Sequence, residues 1–255
     1  MSVSYDFSGK VALITGSSSG IGAATAILFA KSGAKVVVTG RNEKGIKSVA
    51  KQCSDVSPNK SKALEVVADV TQEEDLNRLV KTTIDTFGRL DILVNNAGMQ
   101  VPEKELENIT DEAIEDTFRT NIFAYFYFAK AALEYLHEGD SIINTTSVTA
   151  YRSSPHLIDY SATKGAITSF TRSLATNLAK KNIRVNGVAP GPVWTPLIVS
   201  TFDEKKIKSF GSETAMERAG QPSELAPAYV FLASDDASFI TGQVIHVNGG
   251  EVVNG

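Results

Sequence analysis

Seven short runs rich in Val and Ile recur along the chain, and segments with helical periodicity separate them. Continuous apolar runs, rather than alternating apolar and polar residues, are typical of strands that are buried on both faces of a sheet. Strands that alternate with helices predict an α/β fold with a doubly wound, seven-stranded parallel sheet flanked by helices. The predicted strands are Val11–Thr15, Lys35–Gly40, Ala63–Val70, Leu90–Asn95, Ser141–Thr145, Ile183–Ala189 and Gly242–Val247.

The clearest helical segments follow the first, third, fourth and fifth of these strands. Gly33 directly follows the first helix and suits a C-terminal cap, and Thr71 precedes an acidic first turn and suits an N-cap. No Pro- or Ser-rich linker divides the chain, so we expect a single dinucleotide-binding and catalytic domain over residues 1–255. Residues 191–220 are the longest stretch without a clear strand, and we expect a substrate lid there. The predicted helices are Ile21–Ser32, one that begins at Thr71, Asp111–His137 and Asp159–Lys180.

The composition excludes several classes of protein. A chain of 255 residues buries a large core without a disulfide or a structural metal, and its single cysteine, Cys53, allows no intrachain disulfide and no site built from several thiolates. The formal net charge of −4 argues against a general nucleic-acid binder and gives no support for docking on an acidic membrane. No run of about 18 apolar residues occurs, and the first residues lack the pattern of a signal peptide. We therefore expect no metal, no nucleic-acid or membrane partner and a cytoplasmic location.

A turn rich in glycine and serine, T-G-S-S-S-G-I-G over residues 15–22, joins the first strand to the first helix. Glycine lets the backbone turn sharply, and the free N–H groups at a helix N-terminus attract phosphate. The spacing is not G-x-G-x-x-G, because Thr25 stands three residues after Gly22. Such a composition more often marks only a turn. Its place in the first strand–turn–helix unit favours a site for a dinucleotide pyrophosphate.

The end of the second strand bears on the choice of cofactor. NAD-binding units usually carry Asp or Glu about 20 residues after the glycines, where it bonds the ribose 2′-hydroxyl. Here Arg41 follows Gly40 and no carboxylate stands at that place. A guanidinium attracts a 2′-phosphate, so we expect NADP(H) rather than NAD(H). The alternative is that Arg41 is an ordinary solvated loop residue.

Tyr160 and Lys164 stand four residues apart in a helical pattern. An i, i+4 pair shares one face of a helix, so we expect the phenol and the ammonium to be neighbours. A nearby cation should lower the pKa of the phenol from about 10 and suit Tyr160 to general acid/base work. An amphipathic surface pair is the alternative. Ser147 ends the fifth strand at the same carboxyl edge of the sheet, and this favours the catalytic interpretation.

These motifs, in this order and spacing from Lys10 to Gly250, resemble the compact, single-domain short-chain dehydrogenase/reductases, which have a Rossmann fold. Within that family the chain is most similar to bacterial-type 3-oxoacyl-carrier-protein reductases and sugar or alcohol dehydrogenases, a group that does not share one substrate. The motifs that carry the resemblance are Thr15–Gly22, Asp69-Val70, Asn95-Asn96-Ala97-Gly98, Asn121, Ser147, Tyr160-Ser-Ala-Thr-Lys164, Pro190-Gly191 and Thr195.

The resemblance implies roles for individual residues. Tyr160 donates a proton to the substrate oxygen, Ser147 bonds the same oxygen, and Lys164 bonds the nicotinamide ribose. Asn121 is implied to hold a water in the proton relay, with a buried Asn that bends its helix as the alternative. Asp69 is implied to bond the adenine, with a helix-capping Asp as the alternative. The implied cofactor-binding residues are Gly16, Ser18, Ser19, Gly20, Ile21, Gly22, Arg41, Asp69, Val70, Asn96, Ala97, Gly98, Tyr160, Lys164, Pro190, Gly191, Val193 and Thr195.

The substrate pocket is expected to lie between residues 147–156, 193–210 and 99–101. Its candidate lining is mainly apolar, which favours a carbonyl with apolar substituents over a highly polar sugar. The segment 122–128 is apolar most of the way round and needs cover on two sides. Relatives pair this helix with the Tyr160 helix, so we expect a homotetramer. The lining candidates are Val148, Tyr151, His156, Leu157, Trp194, Leu197 and Ile198.

The sequence thus predicts an NADP(H)-dependent oxidoreductase that transfers a hydride between nicotinamide and a carbonyl or secondary-alcohol substrate. The alternatives are an NAD(H)-preferring sugar or alcohol dehydrogenase and a catalytically silent sensor or scaffold that binds a dinucleotide. The intact Ser147, Tyr160 and Lys164 set argues against the silent protein. Epimerases and dehydratases are a further class, but those relatives are usually longer.

Overall fold

A computed structural model describes residues 5–202 and 207–253 of the chain. Within these ranges the chain forms a parallel sheet with the seven strands that the sequence predicts. Its strands are β1 (Val11–Ile14), β2 (Lys35–Gly40), β3 (Leu64–Val67), β4 (Ile92–Asn95), β5 (Ser141–Thr145), β6 (Arg184–Pro190) and β7 (Val244–Val247). They lie in the order β3-β2-β1-β4-β5-β6-β7, and every neighbouring pair is parallel. The predicted α/β class and doubly wound Rossmann topology are confirmed.

Helices cover both faces of the sheet and enclose two apolar cores. The first core packs Phe29 and Tyr229 against one face, and the second packs Leu79, Phe128 and Leu178 against the other. The helices are α1 (Gly20–Lys31), α2 (Glu43–Val56), α3 (Glu73–Phe87), α4 (Asp111–Phe118), α5 (Ala124–Ala132), α6 (Ile158–Leu178), α7 (Pro196–Thr201) and α8 (Pro222–Ala233). None of the helices in the described ranges is long and apolar enough to cross a membrane.

Burial on both faces holds for the inner strands but not for the edges. Every residue of β1, β4, β5 and β6 is buried, whereas β3 alternates between buried and exposed and β7 is only half-buried. An edge strand has a neighbour on one side only, so less of its surface is covered. The Val- and Ile-rich pattern therefore identified the strands without distinguishing inner strands from edges.

The strand order places a crevice at the carboxyl edge of the sheet. From β1 the chain winds outward to β2 and β3, and it then returns to the other side of β1 as β4. The helices α1, after β1, and α5, after β4, consequently pack on opposite faces of the sheet. Ligands of open α/β sheets bind in the crevice where the strand order reverses. The glycine turn follows β1 and Ser147 follows β5, so the predicted motifs share this edge.

Two local predictions differ from the structure. The N-cap of α3 is Gln72 rather than Thr71, because Asp69 Oδ1 accepts hydrogen bonds from both the N–H and the hydroxyl of Thr71 and holds it in the preceding turn. The helix predicted over Asp111–His137 ends at Ala132, and a π-helical turn over residues 119–123 interrupts it. The lid over residues 191–220 stays a prediction: its residues 191–202 contain the short helix α7, and residues 203–206 lie outside the described part.

Candidate active site

A cavity of about 590 Å³ runs along the carboxyl edge of the sheet, and all but two of the predicted site residues line it. The residues that follow β2 and β3, Arg41 and Asp69, lie on one side of the glycine turn. Ser147, after β5, and Pro190, at the end of β6, lie on the other side. The two predicted site residues that do not line the cavity are Gly22 and Asn121. No cluster of three or more His, Cys, Asp or Glu side chains suited to a metal occurs in the described ranges.

The glycine turn is shaped for an anion. Gly16 and Gly20 both have a positive φ, 63° and 59°, and a Cβ at Gly16 would stand 2.9 Å from the Cα of Ala97. Helix α1 begins here with no side-chain cap and no acidic residue in its first turn. Its first N–H groups therefore remain available, and the positive end of the helix faces the cavity. These features fit the pyrophosphate of a dinucleotide.

Gly22 supports the turn from behind rather than lining the cavity. A Cβ on this residue would stand 2.5 Å from Nδ2 of Asn96 and 2.6 Å from the carbonyl oxygen of Gly16. Asn96 Nδ2 donates to the carbonyl of Thr15 at 2.9 Å, and the Thr15 hydroxyl accepts from the N–H groups of Asn96 and Ala97 at 2.8 and 2.9 Å. The loops after β1 and β4 are thus locked together at van der Waals distance.

The β2 end presents a largely free cation. The Arg41 side chain is 78% exposed, and its NH1 lies 3.9 Å from Asp69 Oδ2, its one ion pair within the described residues. Asp69 itself is tied to the backbone N–H and hydroxyl of Thr71. A weak, solvated pair of this length contributes little, so the guanidinium is free to meet a phosphate. No carboxylate occupies positions 40–42.

Ser147, Tyr160 and Lys164 come together at the other end of the cavity. Tyr160 and Lys164 share one face of α6, with Lys164 Nζ 5.4 Å from the centre of the Tyr160 ring. Nζ donates to the carbonyl of Thr145 at 2.9 Å, which fixes the ammonium at the end of β5. The Ser147 hydroxyl accepts from the Thr149 N–H at 3.2 Å, and it lies close enough to the Tyr160 phenol to lower the pKa of that group. One serine, one phenol and one amine therefore face a shared space.

The expectation that the ammonium lowers the pKa of Tyr160 is wrong for the chain alone. Burial raises the pKa of Tyr160 to about 12, and the nearby Ser147 hydroxyl offsets only part of this rise. Burial also lowers the pKa of Lys164 to about 7, because only 3% of this residue is exposed. Desolvation disfavours both charged forms. The phenol therefore keeps its proton at neutral pH, as a proton donor must.

Asn121 lies in the π-helical turn and is fully buried. Its side-chain oxygen accepts from the Met99 N–H at 2.8 Å, and its amide nitrogen donates to the Met99 carbonyl at 2.9 Å and to the Thr163 hydroxyl at 3.1 Å. The side chain thus ties the loop after β4 to α6. The role of Asn121 in holding a relay water stays a prediction.

The segment after β6 closes the cavity opposite the glycine turn. A Cβ at Gly191 would stand 2.6 Å from the Cα of Asn248, so only glycine fits between β6 and the C-terminal segment. Val193 pairs with Gly220 in an isolated bridge, and Thr195 caps the start of α7. The Thr195 methyl would touch a Cβ at Gly20, 3.3 Å away. Thr195 therefore faces the glycine turn across the crevice.

Comparison with known proteins decides the family. A family model described as "Enoyl-(Acyl carrier protein) reductase" matches residues 16–251. The NADPH-dependent aldehyde reductase 1, chloroplastic, of Arabidopsis thaliana is 52% identical over 251 residues, which cover 96% of this chain and 87% of that protein. The chain belongs to the short-chain dehydrogenase/reductase family. The glucose and ribitol dehydrogenase of Daucus carota is 50% identical, over 97% of this chain and 86% of its own.

Solved structures of short-chain dehydrogenases/reductases share the fold over the whole length. A glucose/ribitol dehydrogenase from Brucella melitensis is 35% identical with a TM-score of 0.87, and covers 99% of this chain and 100% of its own. A short-chain dehydrogenase from Burkholderia cenocepacia in complex with NADP is 31% identical with a TM-score of 0.89, over 95% of this chain and 98% of its own. The chain is thus an oxidoreductase of this family, with its predicted Rossmann fold.

The substrate side of this short-chain dehydrogenase/reductase differs from the expected apolar lining. Val148, Leu157, Leu197 and Ile198 line the cavity as predicted. Three other candidates do not line it: the Tyr151 ring packs on His246, Trp194 packs on Phe210, and His156 is exposed. Several polar residues also line the cavity, and the sequence does not single them out because they belong to no motif. They are Gln100, Thr149, Arg152, Ser154, Ser200 and Glu213.

Proposed function

We propose that this chain is an NADP(H)-dependent reductase that interconverts a carbonyl compound and the corresponding primary or secondary alcohol. The observation that carries the proposal is the cluster of Ser147, Tyr160 and Lys164, which lines the same cavity as the glycine turn. A phenol that holds its proton, next to a serine hydroxyl, suits protonation of a substrate oxygen. The relatives named as an NADPH-dependent aldehyde reductase and as glucose and ribitol dehydrogenases support this reaction type.

The chain's own groups supply everything except the hydride, which a bound nicotinamide cofactor supplies. The Ser147 hydroxyl binds the carbonyl oxygen of the substrate and orients the carbon beside it. The Tyr160 phenol donates its proton to that oxygen as negative charge develops on it. Lys164, held by the Thr145 carbonyl, places its ammonium beside the phenol and stabilises the tyrosinate left behind. Gly16, Gly20 and the N-terminus of α1 hold the pyrophosphate, and the β6 segment closes the site.

The proposal predicts that NADPH is oxidised only when a carbonyl compound is present. The direct experiment follows absorbance at 340 nm across aldehydes, ketones, β-ketoacyl thioesters and aldoses. Turnover of at least one class supports the reductase. Tight NADPH binding without turnover of any class supports the silent sensor or scaffold instead.

Replacement of Arg41 by Ala is expected to change the preference between cofactors. The exposed guanidinium would bond a 2′-phosphate, and hydrogen bonds between charged groups contribute about 1.5–3 kcal/mol. We therefore expect Arg41→Ala to weaken NADPH binding about 10- to 100-fold and to leave NADH binding nearly unchanged, as measured by fluorescence titration. Lys31→Ala, which removes an exposed charge from the far end of α1, serves as the control. Equal weakening of both cofactors would remove the case for NADP(H).

We also propose that the chain assembles as a homotetramer. Phe123, Phe126 and Tyr127 on the α5 side are 44%, 50% and 44% exposed, and the Phe126 ring stacks on Phe170 of α6 at 4.0 Å. This shared apolar face suits burial against a second copy. Light scattering should give about four times the chain mass of 27.3 kDa, whereas a monomer mass would contradict the proposal. The cytoplasmic location and the absence of a nucleic-acid partner stay predictions.

A further inference from the structure

Arg152 is a charged group in the substrate side of the cavity that the reaction described above does not use. It stands five residues after Ser147, just beyond the 3₁₀ turn Val148–Ala150, and lines the same cavity as Ser147 and Tyr160. Its backbone N–H donates to the Val148 carbonyl at 3.0 Å, so the turn that follows the serine fixes its main chain. The backbone position from which the Arg152 side chain extends is therefore fixed beside the catalytic groups.

The guanidinium forms an ion pair with a carboxylate of the C-terminal segment. Arg152 Nε lies 2.8 Å from Glu251 Oε1, and the two side chains are 39% and 22% exposed. Glu251 is held in turn, because the Asn248 side chain donates to its carbonyl at 2.7 Å and accepts from the Gly250 N–H at 3.1 Å. The C-terminal segment thus holds the Glu251 main chain beside Arg152. The two terminal nitrogens of the guanidinium have no hydrogen-bond partner among the described residues.

A guanidinium whose terminal nitrogens make no hydrogen bond within the described residues can bind a carboxylate through both of them. The two parallel N–H···O bonds of such a pair give both affinity and geometric selection. The other cations of the described residues that line the cavity lie away from this side: Arg41 lies at the β2 end, and Lys164 is buried beneath the phenol. Glu213 is a negative charge among the described lining residues on this side, and it is exposed to solvent, which screens its repulsion.

We propose that Arg152 determines substrate specificity, and that the site prefers aldehydes and ketones that carry a carboxylate remote from the reacting carbonyl. This inference rests on the proposed reductase function. In this proposal Arg152 binds the carboxylate of the substrate, Glu251 positions Arg152, and Glu213 repels the same carboxylate. It also replaces the expectation that the pocket favours carbonyls with apolar substituents.

The experiment compares matched pairs of aldehydes with NADPH. Succinic semialdehyde is paired with butanal, and 4-carboxybenzaldehyde with 4-methylbenzaldehyde. The two acids differ in the distance between the carboxylate and the reacting carbonyl. The quantity is the ratio of kcat/KM for the acid to kcat/KM for its neutral partner. Each variant's ratio is divided by the wild-type ratio, because intrinsic reactivity then cancels.

We expect Arg152→Gln to lower this ratio about tenfold or more for at least one pair, through a higher KM for the acid. The neutral partner should stay within about twofold. Glu213→Gln should raise the ratio, because it removes repulsion, and Glu251→Gln should lower it less than Arg152→Gln does. Arg152→Lys keeps the charge but lacks the two parallel N–H donors of the guanidinium, so it should give an intermediate ratio. This variant also tests the proposal if Arg152→Gln does not fold. Lys31→Gln makes the same change in net charge far from the cavity and should leave the ratio unchanged.

Three results overturn the inference. Ratios within twofold of wild type in Arg152→Gln, while neutral aldehydes are still reduced, reject the role of Arg152 and leave the proposed function standing. An equal loss for acids and neutral partners shows a structural role only. No NADPH-dependent turnover of any aldehyde or ketone rejects the proposed function and this inference with it.

Discussion

Tyr160→Phe is expected to lower kcat for carbonyl reduction by about 10²- to 10⁴-fold, the usual contribution of a positioned general acid. The change removes one hydroxyl, and Ser147 keeps its hydrogen bonds with the Thr149 N–H and hydroxyl. The ring still fills its place beside Lys164. We therefore expect the melting temperature and the Kd for NADPH to stay close to those of the wild type, with the loss confined to kcat.

The matched control is Tyr135→Phe, which removes the same hydroxyl from a half-buried tyrosine that packs against the second apolar core. Its kcat should stay within about twofold of the wild type. Steady-state kinetics and a fluorescence titration of NADPH separate the two effects. Retained turnover in Tyr160→Phe would falsify the assignment of the phenol as proton donor.

Gly22→Ala is expected to produce the largest loss of stability. The added methyl group would meet Asn96 Nδ2 at 2.5 Å and the Gly16 carbonyl at 2.6 Å, and the second of these atoms belongs to the backbone. Overpacking of this kind costs about 1–3 kcal/mol, and a loss of about 2 kcal/mol lowers Tm by about 4–8 °C in a chain of this size. Because the displaced turn is the pyrophosphate cradle, NADPH binding should weaken at least tenfold.

Gly165→Ala is the control for an added methyl group. It lies inside α6, where no described atom beyond the adjacent helix backbone stands within 4 Å of the new Cβ. Alanine is the better helix former by about 1 kcal/mol, so Tm should stay level or rise. Thermal unfolding followed by circular dichroism compares the two variants. A Gly22→Ala protein that melts with the wild type would show that the β1 and β4 loops are not packed as closely as described.

Much of the fold is visible in the sequence because parallel strands leave a local signal. The Val- and Ile-rich runs predict all seven strands, and the alternation with helices predicts the doubly wound sheet. The π-helical turn around Asn121 leaves no such signal, because it depends on side-chain contacts with Met99 and Thr163, 22 and 42 residues away. The early end of α5 at Ala132 likewise depends on the turn that follows rather than on periodicity.

Some features of the candidate site are likewise visible in the local sequence, and others depend on packing. The glycine turn and the Tyr160–Lys164 pair are local patterns, so the sequence predicts both where they lie and that they meet. The direction of the pKa shifts was wrong for Tyr160, because desolvation is a property of packing that residue spacing does not show. Arg152 escaped notice for a related reason. Its anchor, Glu251, is 99 residues away along the chain, and only the fold brings the two side chains together.

The central claim is that this cavity transfers a hydride between NADPH and a carbonyl carbon beside Tyr160. NADPH deuterated at C4, prepared separately with the label on each face, tests it when mass spectrometry is used to analyse the alcohol formed from a reduced aldehyde. We predict about one deuterium per molecule of alcohol from one labelled face and none from the other. Alcohol without deuterium from either label, or no alcohol at all in the presence of NADPH, would contradict the claim.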